Sequence, residues 1–215
     1  MRVKTALLAI SDGDPRPALR GTSRSAADAE ELVRGLLPGR DVTPSGEGTL
    51  RDRISPPDDM TFAAVLRGAA VLCDRRFALD RPSRLPAHVL RVAAGRRITV
   101  HAMDSATGWV SFGVWEGGAL VRSLSRTGDR ILEHIGRPYD FERSTDPAAL
   151  GEEALRALFG FVVAGRPHPG DIHAGGVRMH GFRVEDPLGQ EQALRAAMTS
   201  RLRHALGRPT PSIGR

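Results

Sequence analysis

The stretch Arg97-Ile98-Thr99-Val100-His101-Ala102-Met103-Asp104-Ser105-Ala106-Thr107-Gly108-Trp109-Val110-Ser111-Phe112-Gly113-Val114-Trp115-Glu116-Gly117-Gly118-Ala119-Leu120-Val121-Arg122-Ser123-Leu124-Ser125 decides how this chain folds. From Arg97 the apolar pattern takes a period of two, which gives strand-like runs at Ile98 to Met103, Trp109 to Trp115 and Ala119 to Ser125. Glu116-Gly117-Gly118 separates the last two, and a glycine pair supplies the positive φ that a tight hairpin turn requires. A further strand is predicted from Arg130 to Ile135, so the centre of the chain reads as an antiparallel meander.

Towards the N-terminus, the apolar run Val3 to Ile10 reads as a buried strand that enters the turn Ser11-Asp12-Gly13-Asp14-Pro15. Ser25, three residues before Asp28, caps a helix whose apolar positions are Ala29, Leu32, Val33, Leu36 and Leu37 and which Pro38-Gly39 stops. A second strand near Asp41 to Thr43 completes a βαβ-like start, and the polar segment Gly46 to Asp59 is expected as a surface loop. Thr61 to Leu66 and Ala69 to Cys73 form two strands joined at Arg67-Gly68, and a short helix from Pro86 to Ala94 is closed by Gly95. Beyond the meander, Asp146-Pro147 opens a helix through Leu150, Ala154, Leu155, Leu158, Phe159 and Val162, ended by Gly165-Arg166-Pro167. Val177 to Val184 is a strand, and Asp186-Pro187 starts a last helix with Leu194, Met198, Leu202 and Ala205 on one side. The sum is an α+β (mixed α/β) fold: a mixed, largely antiparallel sheet, parallel only at its βαβ-like start, with helices packed on it. Residues 1–206 are expected to form one domain, and residues 207–215 a flexible tail.

A chain of 215 residues buries roughly 70% of its unfolded surface and needs no disulfide or structural metal to fold. Its single cysteine, Cys73, excludes an intrachain bridge and fits a reducing cytoplasm. The apolar run before Ser11 is too short for a signal-peptide core, and no run approaches the roughly 18 apolar residues of a membrane span, so a soluble cytoplasmic protein is expected. The net charge of +6 does not by itself indicate nucleic acid. No acidic residue follows Glu191, whereas Arg195, Arg201, Arg203, Arg208 and Arg215 add five positive charges, and the rest of the chain is nearly balanced. Lys4 is the only lysine and asparagine is absent, a bias that suits a GC-rich coding sequence. No aromatic residues interleave with the arginines to stack bases, so neither a nucleic acid nor a membrane is the expected partner.

Several motifs are similar to those of one family. They are Lys4-Thr5-Ala6-Leu7-Leu8 with Asp12-Gly13-Asp14, Val71-Leu72-Cys73-Asp74, Asp80-Arg81-Pro82-Ser83-Arg84-Leu85-Pro86-Ala87-His88, His101-Ala102-Met103, Val121-Arg122-Ser123-Leu124-Ser125, and Leu150-Gly151-Glu152-Glu153-Ala154-Leu155-Arg156-Ala157-Leu158-Phe159-Gly160-Phe161. On these the chain resembles an uncharacterised actinobacterial family, a domain of unknown function, over most of its length. The resemblance implies no activity. In that family's pattern a second histidine follows Met103, where Asp104 stands here, and an aspartate precedes Trp109, where Gly108 stands here. A longer Pro- and aromatic-rich segment separates Phe141-Glu142 from the next helix, which here is reached through Arg143-Ser144-Thr145 alone.

The candidate site residues follow from three strands that each end in an aspartate: Asp12, Asp74 and Asp104. If these strands run parallel, the acids converge at one sheet edge, where open α/β sheets bind their ligands; an antiparallel strand carries its acid to the other edge. Asp12 and Asp14 bracket a glycine and could share a hard divalent cation, although Asp, Gly and Pro are also ordinary turn residues. His101 could act as a general base oriented by Asp74 or Asp12, against the plainer reading of a core histidine. Ser105 is a binding candidate without the surroundings of a nucleophile. Trp109 and Trp115, six residues apart, share a face and either pack in the core or wall a ligand cleft. Cys73 reads as a small buried hydrophobe, the His168, His173 and His180 spacing fits no zinc pattern, and Glu152-Glu153 read as a solvated pair.

Two functions fit these residues. The first is a protein that binds a small molecule or peptide in an acidic, histidine-containing cleft at strand ends, with Asp12, Asp14, Trp109, Trp115 and Ser105 in contact. The second is an enzyme of specialised metabolism that uses His101, Asp104 and Asp74 for acid–base chemistry, or Asp12 and Asp14 to hold a metal. Binding is the preferred expectation, with no obligatory cofactor.

Overall fold

The computed structural model describes residues 3–143, 146–187 and 189. Among these residues nine strands form one sheet: β1 Lys4–Ser11, β2 Asp41–Thr49, β3 Met60–Leu66, β4 Ala69–Cys73, β5 Arg97–Asp104, β6 Trp109–Glu116, β7 Ala119–Thr127, β8 Arg130–Ile135 and β9 Arg178–Glu185. The helices are α1 Ala26–Leu36, α2 Leu50–Arg53, α3 Ala87–Ala93 and α4 Pro147–Phe159. Strand order is β2-β9-β3-β4-β1-β5-β6-β7-β8. The α+β class and the central meander are as the periodicity predicts, and the β6–β7 turn places both Gly117 and Gly118 at positive φ, 57° and 81°.

The parallel pairing expected at the βαβ-like start does not form. Both neighbours of β1, namely β4 and β5, run antiparallel to it, and every other pairing is antiparallel as well. The chain does cross from β1 through α1 to β2, and β2 points the same way as β1, but the β3–β4 hairpin and β9 stand between them. A C-terminal strand inserted among N-terminal ones leaves no local trace in the sequence.

Each face of the sheet is covered. On one face α1 and α3 bury Ala29, Val33, Leu36, Val89 and Ala93 against Leu8, Ile10, Leu72, Val100 and Trp115. On the other, α4 and α2 bury Leu50, Leu150, Ala154, Leu155 and Phe159 against Leu7, Ala9, Met103, Phe112 and Val114. Successive residues of β1 therefore enter opposite cores, which is why its sequence is continuously apolar rather than alternating. Ser25 caps α1 in a reciprocal capping box with Asp28, and Asp146 caps α4 through the Ala148 N–H.

Three local expectations are corrected. Gly46 to Asp59 is not a plain surface loop: β2 continues through a bulge to Thr49, then α2 follows and buries Leu50 and Ile54. Burial of those two apolar side chains outweighs the polarity of their neighbours. Helix α4 stops at Gly160, whose N–H closes on the Arg156 carbonyl, not at Gly165. Glu152 is not simply solvated, because its carboxylate accepts from the N–H groups of Val163 and Ala164 at 2.9 and 3.0 Å and caps the turn after α4. The last predicted helix and the tail lie outside the described residues.

Candidate functional site

Strand direction settles where the three strand-end acids lie. Ser11, the last residue of β1, pairs with Ala69 and Arg97, the first residues of β4 and β5, while Lys4, at the start of β1, pairs with Asp104 at the end of β5. Asp12 therefore leaves the sheet at the end that carries the Arg67-Gly68 turn, whereas Asp74 and Asp104 leave it at the opposite end. At about 3.3 Å per residue the two ends are roughly 23 Å apart. Asp74 and Asp104 share an end but flank β1 on either side, so two strand spacings, roughly 10 Å, separate them and they hold no common proton.

The Asp104 end is built by one transverse row. Lys4, Asp104, Trp109 and Thr127 are directly opposite one another across β1, β5, β6 and β7. Directly paired residues of antiparallel strands project to the same face, so the four side chains stand side by side. They line a cavity of about 310 Å3, whose remaining wall includes Arg75 and Asp80 from the segment after β4. Lys4 Nζ lies 2.9 Å from Asp104 Oδ2, and the N–H of Ala106 donates to Asp104 Oδ1 at 3.0 Å. The Trp109 indole N–H donates to Ser125 Oγ at 3.3 Å, which leaves its half-buried ring against the cavity. Ser105 serves the same end as a tie: its Oγ accepts from the Val3 N–H at 2.8 Å, and its own N–H donates to the Val3 carbonyl at 2.9 Å.

Asp74 stands behind this wall, fully buried. It accepts from Thr61 Oγ1, from the Arg76 backbone N–H at 2.8 Å and from Arg76 Nη1 at 2.9 Å. Burial raises its carboxyl above the usual carboxylate range, even though Arg76 and Thr61 favour the ionised form. Its contacts fold Arg75–Phe77 into a tight turn and so position Arg75 and Asp80 at the cavity.

His101 lies on the other face, under α4. It is fully buried, with Thr5 Oγ1 3.0 Å from Nδ1 and the Gly151 carbonyl 2.9 Å from Nε2. A carbonyl only accepts, so Nε2 carries the proton and Nδ1 accepts from the Thr5 hydroxyl. Burial lowers its pKa to about 4, opposed only by the Gly151 hydrogen bond, so the ring is neutral near pH 7. It is one residue from Ala102 on the cleft face and yet on the wrong side of the sheet to meet Asp104. Trp115 shares a face with Trp109, as expected, but lies six residues along β6 from it, packed in the α1/α3 core away from the cavity.

At the opposite end, Asp12 and Asp14 face different partners. Arg96 Nε donates to Asp12 at 2.7 Å, while Arg16 grips Asp14 with both its backbone N–H and its guanidinium. Burial disfavours the ionised form of Asp14, but Arg16 outweighs it and holds the carboxyl below its ordinary value. Among the described residues no group of three His, Cys, Asp or Glu side chains is arranged to hold a metal ion. Cys73 is buried, which pushes its thiol far up and away from reactivity.

The charged and polar cleft residues missed by sequence reasoning include Lys4, Ser55, Arg75, Asp80, Thr107 and Thr127. Only Lys4 carried a signal, as the sole lysine of the chain, set at the mouth of an apolar strand. Arg122 was missed too: it is fully buried on β7, where it pairs with Glu142 and donates to the carbonyls of Ser123 and Ile135.

Fold and cleft together define an α+β protein with a small polar cavity at one end of an antiparallel sheet. The model of a family of unknown function, DUF6928, matches residues 5–144, and the chain belongs to that family. Apart from Lys4, every residue lining the cleft falls within the matched segment. No curated protein and no solved structure matches the chain. Among the described residues no helix is long and apolar enough to cross a membrane.

Proposed function

We propose that this protein is a cytoplasmic binding protein for a small polar molecule, held in the strand-end cleft. The observation that supports this reading is the row Lys4–Asp104–Trp109–Thr127, which sets an ammonium, a carboxylate, an aromatic ring and a hydroxyl along one cavity wall. A cavity of about 310 Å3 is at the small end of the range for ligand sites and suits a molecule of a few carbons or the terminal residue of a peptide. The Lys4–Asp104 pair offers a charge of each sign, so a zwitterion can exchange ion pairs with it. The alternative, an enzyme of specialised metabolism, draws less support, because His101 is on the opposite face and Asp12 and Asp14 are at the opposite end.

The test uses a Trp115→Phe background, in which Trp109 is the one remaining tryptophan. A panel of free amino acids, small carboxylates and dipeptides is titrated against its fluorescence. At least one member is expected to change the Trp109 emission saturably, and Asp104→Ala is expected to weaken that response at least about tenfold. Binding that survives both Asp104→Ala and Lys4→Ala unchanged would sink the proposal, as would a panel without a response.

A further inference from the structure

A second cavity lies at the other end of the molecule, on the α4 face, between residues 14–20 and the C-terminal end of α4. It has a volume of about 410 Å3 and is lined by Asp14, Arg16, Arg20, Arg156, Gly160 and Asp171 among others. Three arginines against two aspartates leave its wall with one net positive charge. Both carboxylates are engaged. Asp14 accepts from Arg16, and Asp171 accepts from Arg156 Nε at 3.2 Å and from the His168 N–H at 2.8 Å. Arg156 is anchored further, by donation from Nη2 to the Arg166 carbonyl at 2.6 Å. Arg20 differs from both: its Nη2 donates to the Gly170 carbonyl, and among the described residues no carboxylate pairs with it. Glycine at 160 lets the chain pack close, since a Cβ there would fall 2.7 Å from Ile172 Cδ1 and 3.1 Å from Arg16 Cγ.

A guanidinium carries five N–H donors in a planar fork, and each of these arginines uses only part of its set within the protein. Forks of this kind match the oxygens of a phosphate in pairs, and Arg20, the guanidinium with no carboxylate partner among the described residues, supplies the net positive charge that draws an anion to the cavity. We propose that this cavity is a separate ligand site for a phosphate-bearing small molecule, with Arg20 as the principal contact and Arg16 and Arg156 flanking it. The site does not depend on the strand-end cleft, and Arg156, Gly160 and Asp171 lie beyond the family-matched segment.

Calorimetric titration of the full chain with inorganic phosphate and with pyrophosphate, at low ionic strength, tests it. Saturable binding is expected, weakened about tenfold or more in Arg20→Ala and unchanged in Asp104→Ala. Arg20 is exposed, so its replacement leaves the core intact, and far-UV circular dichroism checks this. No saturable binding of either anion, wild-type affinity retained in both Arg20→Ala and Arg20→Ala/Arg156→Ala, or acetate binding as tightly as phosphate would each overturn the proposal.

Discussion

The histidine that drew attention in the sequence belongs to the core. His101 is neutral in the folded protein down to a pKa of about 4, whereas in the unfolded chain it takes a proton near 6.5. Protonation therefore favours unfolding, so its contribution is present above about pH 6.5 and is lost as the pH falls towards 4. Urea unfolding should show a loss of up to roughly 3 kcal/mol from this group across that window, and His101→Gln should flatten the pH dependence there whatever its absolute stability. Arg122 is the other decisive residue. Replacing it with Leu leaves the Glu142 carboxylate buried without its partner, which should cost about 3–5 kcal/mol, while Arg122→Met with Glu142→Leu should recover much of the loss. Equal stability of the single and double variants would contradict this account. The core reading of His101 was open to the sequence and the role of Arg122 was not, and the partners of both stayed hidden, because a polar residue in an alternating strand reveals which neighbours it follows and not which distant carboxylate or carbonyl it meets.

Among the elements, α4 shows how close packing sets position. A Cβ on Gly151 would fall 2.6 Å from Met103 Sδ, and the Gly151 carbonyl is the acceptor for His101. Gly151→Ala should push α4 off β5 and cost about 1–3 kcal/mol, read from chemical denaturation midpoints. Helix α3 carries the opposite opportunity. Ala94, the residue that caps its C-terminus, has φ 50°, the only positive φ of a non-glycine among the described residues. Left-handed backbone costs an alanine about 1 kcal/mol or more, so Ala94→Gly should be neutral to stabilising, and clear destabilisation would argue against that strain. The sequence placed the α3 stop within a residue, because Gly95 marks it; it misplaced the α4 stop, because Gly160 and Gly165 are equally good terminators and only packing chooses between them.

For the molecule as a whole, β1 is the keystone, with Leu7 in the core under α4 and Leu8 in the core under α1 and α3. If residues 3–187 unfold as one domain, Leu7→Ala and Leu8→Ala should each cost about 2–5 kcal/mol and lower one shared transition. In a Trp109→Phe background, Trp115 fluorescence reports the α1/α3 side and far-UV circular dichroism the whole. Separate midpoints from the two probes would mean that the two cores unfold independently.

What the sequence determined by itself is local: the alternating runs, the Gly117-Gly118 turn, the Ser25 and Asp146 caps and the burial of Cys73 all follow from residue type and spacing over a few positions. Strand order was decided only by the tertiary structure, because β9 enters between β2 and β3 from more than a hundred residues away. That insertion, with antiparallel neighbours on both sides of β1, sends Asp12 to one end of the sheet and Asp74 and Asp104 to the other. The same register sets Lys4 beside Asp104, Trp109 and Thr127. A cleft built from one residue of each of four strands exists only once hydrogen bonding has aligned them.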